Sequence, residues 1–255
     1  MESHIRQISK IYDIRATIPV DGSTCTNAVN FDLALLEEVV GPRPENVCDI
    51  GCGLGWHLEA PSLRGGSDLW GIDLSAHSLD LFARRCSGIG NGTVRIVLGD
   101  MMRWGVTNWF EAATSFLSCL GQFSREGDVL YLQSAARLLR PGGYFLMSVF
   151  CEELIDELVG EWTASYSSDV PALTKSAVAY NKAQNLLTIT QTLYDGTKVQ
   201  AELIHIYNSD DLYAMAKKAG FLDVSVIHPN QVGLPPPPEG VSGRVFLLGR
   251  AEGAQ

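Results

Sequence analysis

The chain is 255 residues long, enough for one α/β domain with insertions or one domain plus a small cap. Its 46% apolar residues against 19% charged ones fit a sizeable core, or faces buried between the copies of a homodimer. A net charge of −10, no Lys or Arg run beyond a pair, and no apolar stretch of membrane-spanning or signal-peptide length argue against nucleic-acid and membrane partners and for a cytoplasmic protein.

Residues 30–40 (NFDLALLEEVV) predict a helix: Asn30 can cap it, apolar positions recur at 31, 35, 36, 39 and 40, and Gly41-Pro42 ends it. A β-α alternation follows. Residues 46–50 form a short apolar strand that runs into a glycine loop, with a helix starting at Trp56. Pro61 falls in that helix, where an interior proline costs about 3 kcal/mol, so the helix is short or kinked. Residues 68–73 are a second strand, and Ser75 caps a helix through Cys86. Residues 93–98, 110–116 and 143–150 are three further strands, the last preceded by a helix over about 128–139 that stops at Arg140-Pro141-Gly142-Gly143.

Beyond residue 150 the texture changes. Residues 151–183 read as helical and irregular, while 186–194 and 198–207 flank Asp195-Gly196, a hairpin signal. Residues 209–219 predict a helix with acids in its first turn, Lys217 and Lys218 in its last, and Gly220 just past its end. Two final strands, 222–227 and 244–248, bracket a loop holding the prolines 235–238. The expected fold is α/β: a doubly wound, mostly parallel seven-stranded sheet with an inserted α+β cap. Its parts are an N-terminal helical segment (1–45), a ligand-binding core (46–150), the cap (151–207) and a C-terminal helix with the last strands (208–255). The six cysteines, Cys25, Cys48, Cys52, Cys86, Cys119 and Cys151, complete no metal-binding spacing and read as reduced thiols.

The chemistry concentrates at the strand ends. In Val47-Cys48-Asp49-Ile50-Gly51-Cys52-Gly53-Leu54-Gly55, alternating glycines let backbone approach a ligand, and the next helix points its first N–H groups there. Position 56, where a G-x-G-x-x-G dinucleotide loop would end, is Trp. About 20 residues on, the second strand ends at Asp73, whose carboxylate can accept both hydroxyls of a ribose. The third ends Leu98-Gly99-Asp100-Met101, a carboxylate for an adenine amino group with Met101 against the ring.

In their order, Asp49–Gly55, Gly71-Ile72-Asp73-Leu74-Ser75, Gly99-Asp100-Met101, Phe110-Glu111-Ala112-Ala113-Thr114-Ser115 and Leu139-Arg140-Pro141-Gly142-Gly143 resemble the successive motifs of class I S-adenosylmethionine-dependent methyltransferases. The resemblance spans residues 47–150. More loosely, Ser118–Phe123, Tyr207–Leu212 and Ala219-Gly220-Phe221 look like small-molecule N-methyltransferases of glycine and aminosugar type. It implies S-adenosylmethionine as cofactor. Gly51, Cys52 and Gly53 would line its methionine part with Asp49 supporting that loop. Asp73 would bind ribose, Leu74 and Met101 would sandwich adenine, Asp100 would meet its amino group, and Ser115 and Phe116 would face the sulfonium. Tyr12 matches a tyrosine that closes over the cofactor in this group.

Because open sheets bind ligands beyond the carboxyl ends of their strands, a small-molecule acceptor should sit near residues 115–123 under the cap, with Gln122, Phe123, Trp162 and Tyr207 as candidate contacts and Tyr166 and Tyr180 further candidates for lining. His205 and Tyr207, two apart on one strand, should share a face, which would let His205 take a proton from the acceptor. The expected reaction is transfer of a methyl group to a small molecule of bacterial secondary metabolism, nitrogen favoured over oxygen or carbon. A nicotinamide-dependent oxidoreductase and a catalytically silent binding module are the competing readings, the first weakened by Trp56.

Overall fold

Crossover helices between short apolar strands oblige those strands to run parallel, and both sheet faces must then be covered. The computed structural model, which describes residues 8–9, 22–41, 44–59, 67–86, 94–116, 119–165, 173–192, 196, 198, 202–231 and 243–252, has this arrangement. In chain order its elements are α1 (Gly22–Val40), β1 (Asn46–Ile50), α2 (Trp56–Glu59), β2 (Asp68–Asp73), α3 (Ala76–Cys86), β3 (Val94–Leu98), β4 (Phe110–Ser115), α4 (Arg125–Leu138) and β5 (Leu139–Phe150). There follow β6 (Gly160–Ser165), β7 (Leu173–Asn181), β8 (Leu186–Thr192), β9 (Glu202–His205), α5 (Ser209–Lys218), β10 (Phe221–Ile227) and β11 (Arg244–Ala251).

The main sheet has seven strands in the order β10-β11-β5-β4-β1-β2-β3. β3, β2, β1, β4 and β5 pair in parallel, and β11 pairs antiparallel with both β5 and β10. The chain leaves β1 first toward β2 and β3, then returns to the other side for β4 and β5. The point of reversal, between the carboxyl ends of β1 and β4, is where such sheets bind ligands. On one face Val47, Leu69, Ala112, Leu146 and Phe246 pack with Leu35 and Leu36 of α1, Leu58 of α2 and Phe82 of α3. On the other, Cys48, Ile50, Ala113, Phe145, Met147 and Leu247 meet Leu132, Ala135 and Leu138 of α4 and Leu212 and Met215 of α5. Among the described residues no helix is long and apolar enough to cross a membrane.

Three expectations are corrected. The first helix begins at Gly22, well before Asn30. β5 begins at Leu139, so residues 140–143 interrupt the pairing between Phe110↔Leu139 and Ala112↔Tyr144 instead of preceding the strand. The described residues of 151–183 hold two strands: after a 3-10 turn, Glu152–Glu157, β6 and β7 join β8 and β9 in a four-stranded antiparallel sheet of order β6-β7-β8-β9. Ser, Thr and Lys on the half-buried strands of this cap sheet break the apolar alternation that marks strands in a core. The hairpin pairing holds, with Leu187↔Ile204 and Ile189↔Glu202 in register; Asp195 lies outside the described residues.

Candidate active site

The glycine loop turns back at once after β1. Gly51 and Cys52 both donate their N–H to Ile72 O, at 2.8 and 3.2 Å, which fastens the end of β1 to the end of β2. Gly51 has φ +69°, and a Cβ there would collide with Cys119 Sγ on the segment leaving β4. The next strand tip is fastened in the same way, Gly99 N donating to Asp73 O at 2.9 Å. Three successive tips are thus held edge to edge by backbone bonds.

Asp73 is the hub of this edge. Its Oδ2 accepts from Gly53 N and its Oδ1 from Ser75 N, each at 2.7 Å. One carboxylate therefore holds the glycine loop and starts α3. Directly above, a Cβ built on Gly53 would meet nothing within 4 Å, so the loop backbone faces open space beside that carboxylate. Leu74 is half-buried, and its carbonyl accepts from Ser9 Oγ at 3.0 Å, which brings Ser9 to the end of β2. Asp100 Oδ1 accepts from Met102 N at 2.9 Å, so this carboxylate caps a 3-10 turn as well as standing at the β3 tip, with Met101 buried beside it. Tyr12 lies outside the described residues.

Asp49 lies beneath the loop, buried to 2% exposure, and accepts from Thr114 Oγ1 at 2.9 Å across the β1–β4 pairing. Burial pushes its carboxyl up to about 6, although the charge of His57 and the Thr114 hydroxyl pull it down. His57 Nε2 lies 3.0 Å from Asp32 Oδ2 of α1, and its ring stacks on Phe116 with centroids 4.4 Å apart. Asp32 is fully buried, and its Oδ1 has no hydrogen-bond partner among the described residues. Arg244, buried at the start of β11, donates to Ser148 Oγ at 3.2 Å; burial lowers its pKa, and the Asp32 charge counters that. Asp32, Asp49, His57 and Arg244 thus form a buried ionic layer on the α1 side of the sheet. Sequence reasoning missed Asp32, Thr114 and Arg244 as members, although Asp32 inside an apolar helix face was an available signal.

Ser115 and Phe116 do not share one surface. Ser115 Oγ pairs with Tyr131 Oη at 2.7 Å on the α4 side, whereas Phe116 joins His57 on the α1 side; both are buried. Cys119, between them and the glycine loop, has its thiol pushed up to about 12 by burial, which keeps it protonated and unreactive. Cys52 is buried and raised for the same reason. No group of three or more His, Cys, Asp and Glu among the described residues is placed to hold a metal ion.

The cap is tied to the core through the segment after β4. His205 N donates to Gly121 O at 2.7 Å, and Gly121 N donates to Asp128 Oδ1 at 3.0 Å. Tyr207 Oη donates to Asp128 Oδ2 at 2.6 Å, which completes a buried link between cap, loop and α4; burial raises the phenol's pKa far above its usual value. Tyr207 is therefore a tie in this structure. The expectation that it shares a face with His205 is corrected: β9 ends at His205, the alternation breaks after Ile206, and His205 is exposed while Tyr207 is buried. Gln122 is buried, with Nε2 3.3 Å from Glu202 Oε1 of β9, and Phe123 stacks on Tyr131 at 6.3 Å. Trp162 belongs to β6, Tyr180 packs at the edge of the cap's own apolar cluster, and Tyr166 lies outside the described residues.

Residues 47–143 match the family model of the methyltransferase domain. A search of curated proteins found no match. Among solved structures, a S-adenosylmethionine-dependent methyltransferase of Clostridium acetobutylicum superposes with TM-score 0.67 at 18% identity, over 97% of this chain and 99% of that one. The amino pentose methyltransferase CalS10 of Micromonospora echinaspora gives 0.65 at 20% identity over 90% and 92%. The sugar N-methyltransferase KedS8 of a Streptoalloteichus species gives 0.65 at 16% identity over 91% and 89%. A glycine loop bound to the Asp73 carboxylate and strand tips fastened in sequence thus stand within the stretch that matches a methyltransferase domain, in a chain whose fold is that of the S-adenosylmethionine-dependent methyltransferases it superposes on.

Proposed function

We propose that the chain methylates a nitrogen atom of a small, soluble, hydroxyl- or carboxyl-bearing amine, in bacterial secondary metabolism. The observation that carries this reading is the attachment of the cap sheet to the segment that leaves β4 and packs on the glycine loop, through His205 N to Gly121 O and Cys119 against Gly51. A cap fastened there bounds the acceptor space at the reaction point and suits a small acceptor. Two structural neighbours support the reading: KedS8, a sugar N-methyltransferase, for nitrogen as the acceptor atom, and CalS10, an amino pentose methyltransferase, for a small amine-bearing acceptor. Four free cysteines, Cys48, Cys52, Cys119 and Cys151, fit a cytoplasmic location.

S-adenosylmethionine supplies an electrophilic methyl group when bound. The chain's own part is alignment and exclusion of water, and alignment alone is worth effective molarities of about 10⁵ M or more. Gly51, Cys52, Gly53 and Asp73 hold the donor, Leu74, Asp100 and Met101 its adenine end, and Asp49 stiffens the loop through Thr114. Phe116, pressed on His57, and Ser115, tied to Tyr131, give the β4 end a rigid shape beside the transferred group. Tyr12 is assigned to the donor side by the sequence resemblance alone. With its side chain exposed on the cap, His205 has no required part in this scheme.

The test is incubation with methyl-tritiated S-adenosylmethionine and amino sugars, amino acids and their hydroxyl analogues. Label in amines supports the proposal; label in hydroxyl analogues alone makes the chain an O-methyltransferase.

A further inference from the structure

A buried carboxylate that ionises at neutral pH costs the fold stability, and such groups cluster where their charge acts on a ligand. Asp49 is buried two residues before Gly51, at the base of the glycine loop. Burial pushes its carboxyl up to about 6, which still leaves it mostly ionised at pH 7. The Thr114 hydroxyl donates to its Oδ1 at 2.9 Å and favours the charged form without cancelling the charge. The charged groups acting on it are His57 of α2, Asp73 at the end of β2 and Asp32 of α1. Both aspartates repel its charge; His57 attracts it, and is itself paired with Asp32 at 3.0 Å. Arg244 of β11 answers electrostatically to Asp32.

The charge of Asp49 reaches the loop itself. Cys52 lies within the loop, and Cys119 Sγ packs against Gly51 from the segment after β4. Burial is the main cause of the raised pKa of both thiols, and the carboxylates of Asp49 and Asp73 add to it in each. Cys48 on β1 and the Tyr131 phenol of α4, also raised chiefly by burial, respond to Asp49 as well. These four groups stay protonated at neutral pH and add no charge of their own. The backbone of Gly51 and Gly53 is thus underlain by negative charge, little screened by water because Asp49 is buried. On its other side the loop is open at Gly53, where a Cβ would meet nothing within 4 Å.

S-adenosylmethionine carries a positive sulfonium at its methionine end, and S-adenosylhomocysteine, left after transfer, carries a neutral thioether there. Resting on the methyltransferase reading, we propose that ionised Asp49 distinguishes the two, holding the charged donor more tightly than the spent one. The two ligands differ by one methyl group and one charge, and the charge is the difference that a buried carboxylate beneath the loop can sense. Loss of the sulfonium charge then weakens the hold on the product and favours its exchange for fresh donor. By linkage, protonating Asp49 removes the preference, and binding of the charged ligand releases a proton that binding of the neutral one does not.

The test is calorimetric titration of wild type, Asp49→Asn, His57→Gln and Thr114→Val with each ligand from about pH 5 to about pH 7.5. The quantity read is the ratio of the two dissociation constants, in which a loop distortion common to both ligands cancels. In wild type the preference for S-adenosylmethionine should rise about tenfold across a midpoint near 6, the effect of one charge acting across the thickness of a loop. In Asp49→Asn the ratio should be flat. Thr114→Val removes a hydrogen bond to the charged form, so its midpoint should move to higher pH. A ratio independent of pH in wild type overturns the role of Asp49 and leaves the methyltransferase reading standing. A pH dependence that persists in Asp49→Asn overturns it too, and one that then vanishes in His57→Gln assigns the titration to His57. If Asp49→Asn does not fold, the Thr114→Val midpoint decides, and an unmoved midpoint overturns the proposal. A wild type that binds neither ligand overturns the methyltransferase reading beneath it.

Discussion

Two aspartates on adjacent strands, Asp49 of β1 and Asp73 of β2, show how environment sets a role. Asp73 is half-buried and accepts from two backbone N–H groups at the carboxyl edge of the sheet. Replacing it with alanine removes those bonds together with the proposed ribose contacts; affinity for S-adenosylhomocysteine, read by calorimetry, should fall about 100-fold. Asp49 is buried, and burial raises its carboxyl from 3.8 to about 6. A raised carboxyl means that the folded chain holds the proton more tightly than the unfolded one. Stability from this group is therefore complete below pH 3.8 and is lost as pH rises to about 6, a change of about 3 kcal/mol. Asp49→Asn has no such dependence. In urea unfolding, the stability of Asp49→Asn relative to wild type should rise by about that amount from pH 4 to pH 7. A constant difference would mean that Asp49 titrates as in the unfolded chain.

At the scale of elements, the donor loop and the segment after β4 are mutually fitted. Gly51 has a positive φ and no room for a Cβ beside Cys119. Gly51→Ala should destabilise the fold by about 1–3 kcal/mol, the range for overpacking, and weaken S-adenosylhomocysteine binding. Adding Cys119→Ala removes the colliding sulfur and should restore part of the stability. The residual deficit, about 1 kcal/mol, is the backbone strain of alanine at that φ. Chemical denaturation of the three variants separates the two contributions, and no recovery in the double variant would put the whole cost in the backbone. The ionic layer works at the same scale, joining α1, α2 and β11 through Asp32, His57 and Arg244. Removing one partner of such a buried pair costs more than the pair contributes, because the other charge is left stranded.

For the whole molecule, donor and fold are linked by mass action. S-adenosylhomocysteine at 100 times its dissociation constant should stabilise the chain by about 2.7 kcal/mol, raising Tm by roughly 5–10 °C, whereas NADH at the same concentration should leave Tm unchanged. A shift with NADH and none with S-adenosylhomocysteine would restore the oxidoreductase reading. The buried Gly121–Asp128–Tyr207 link makes the cap part of the same cooperative structure. Tm curves followed by several probes should therefore coincide.

The alternation of strands and helices, the glycine loop and the acids at the strand tips were legible because each is a local pattern. Alternation needs neighbours within a few residues, and β1 and β2 came out at their expected bounds, 46–50 and 68–73. The cap strands were not legible in residues 151–183, since half-buried antiparallel strands carry too few apolar residues to set a period. Nor were the partners. Thr114 reaches Asp49 across 65 residues, Gln122 reaches Glu202 across 80, and Asp32 meets His57 across 25. Those contacts depend on strand register and on which face a helix buries, and both are decided only when the sheet closes. The tertiary structure alone decided which polar groups share a buried space; what the sequence by itself determined was the order of units that brings them there.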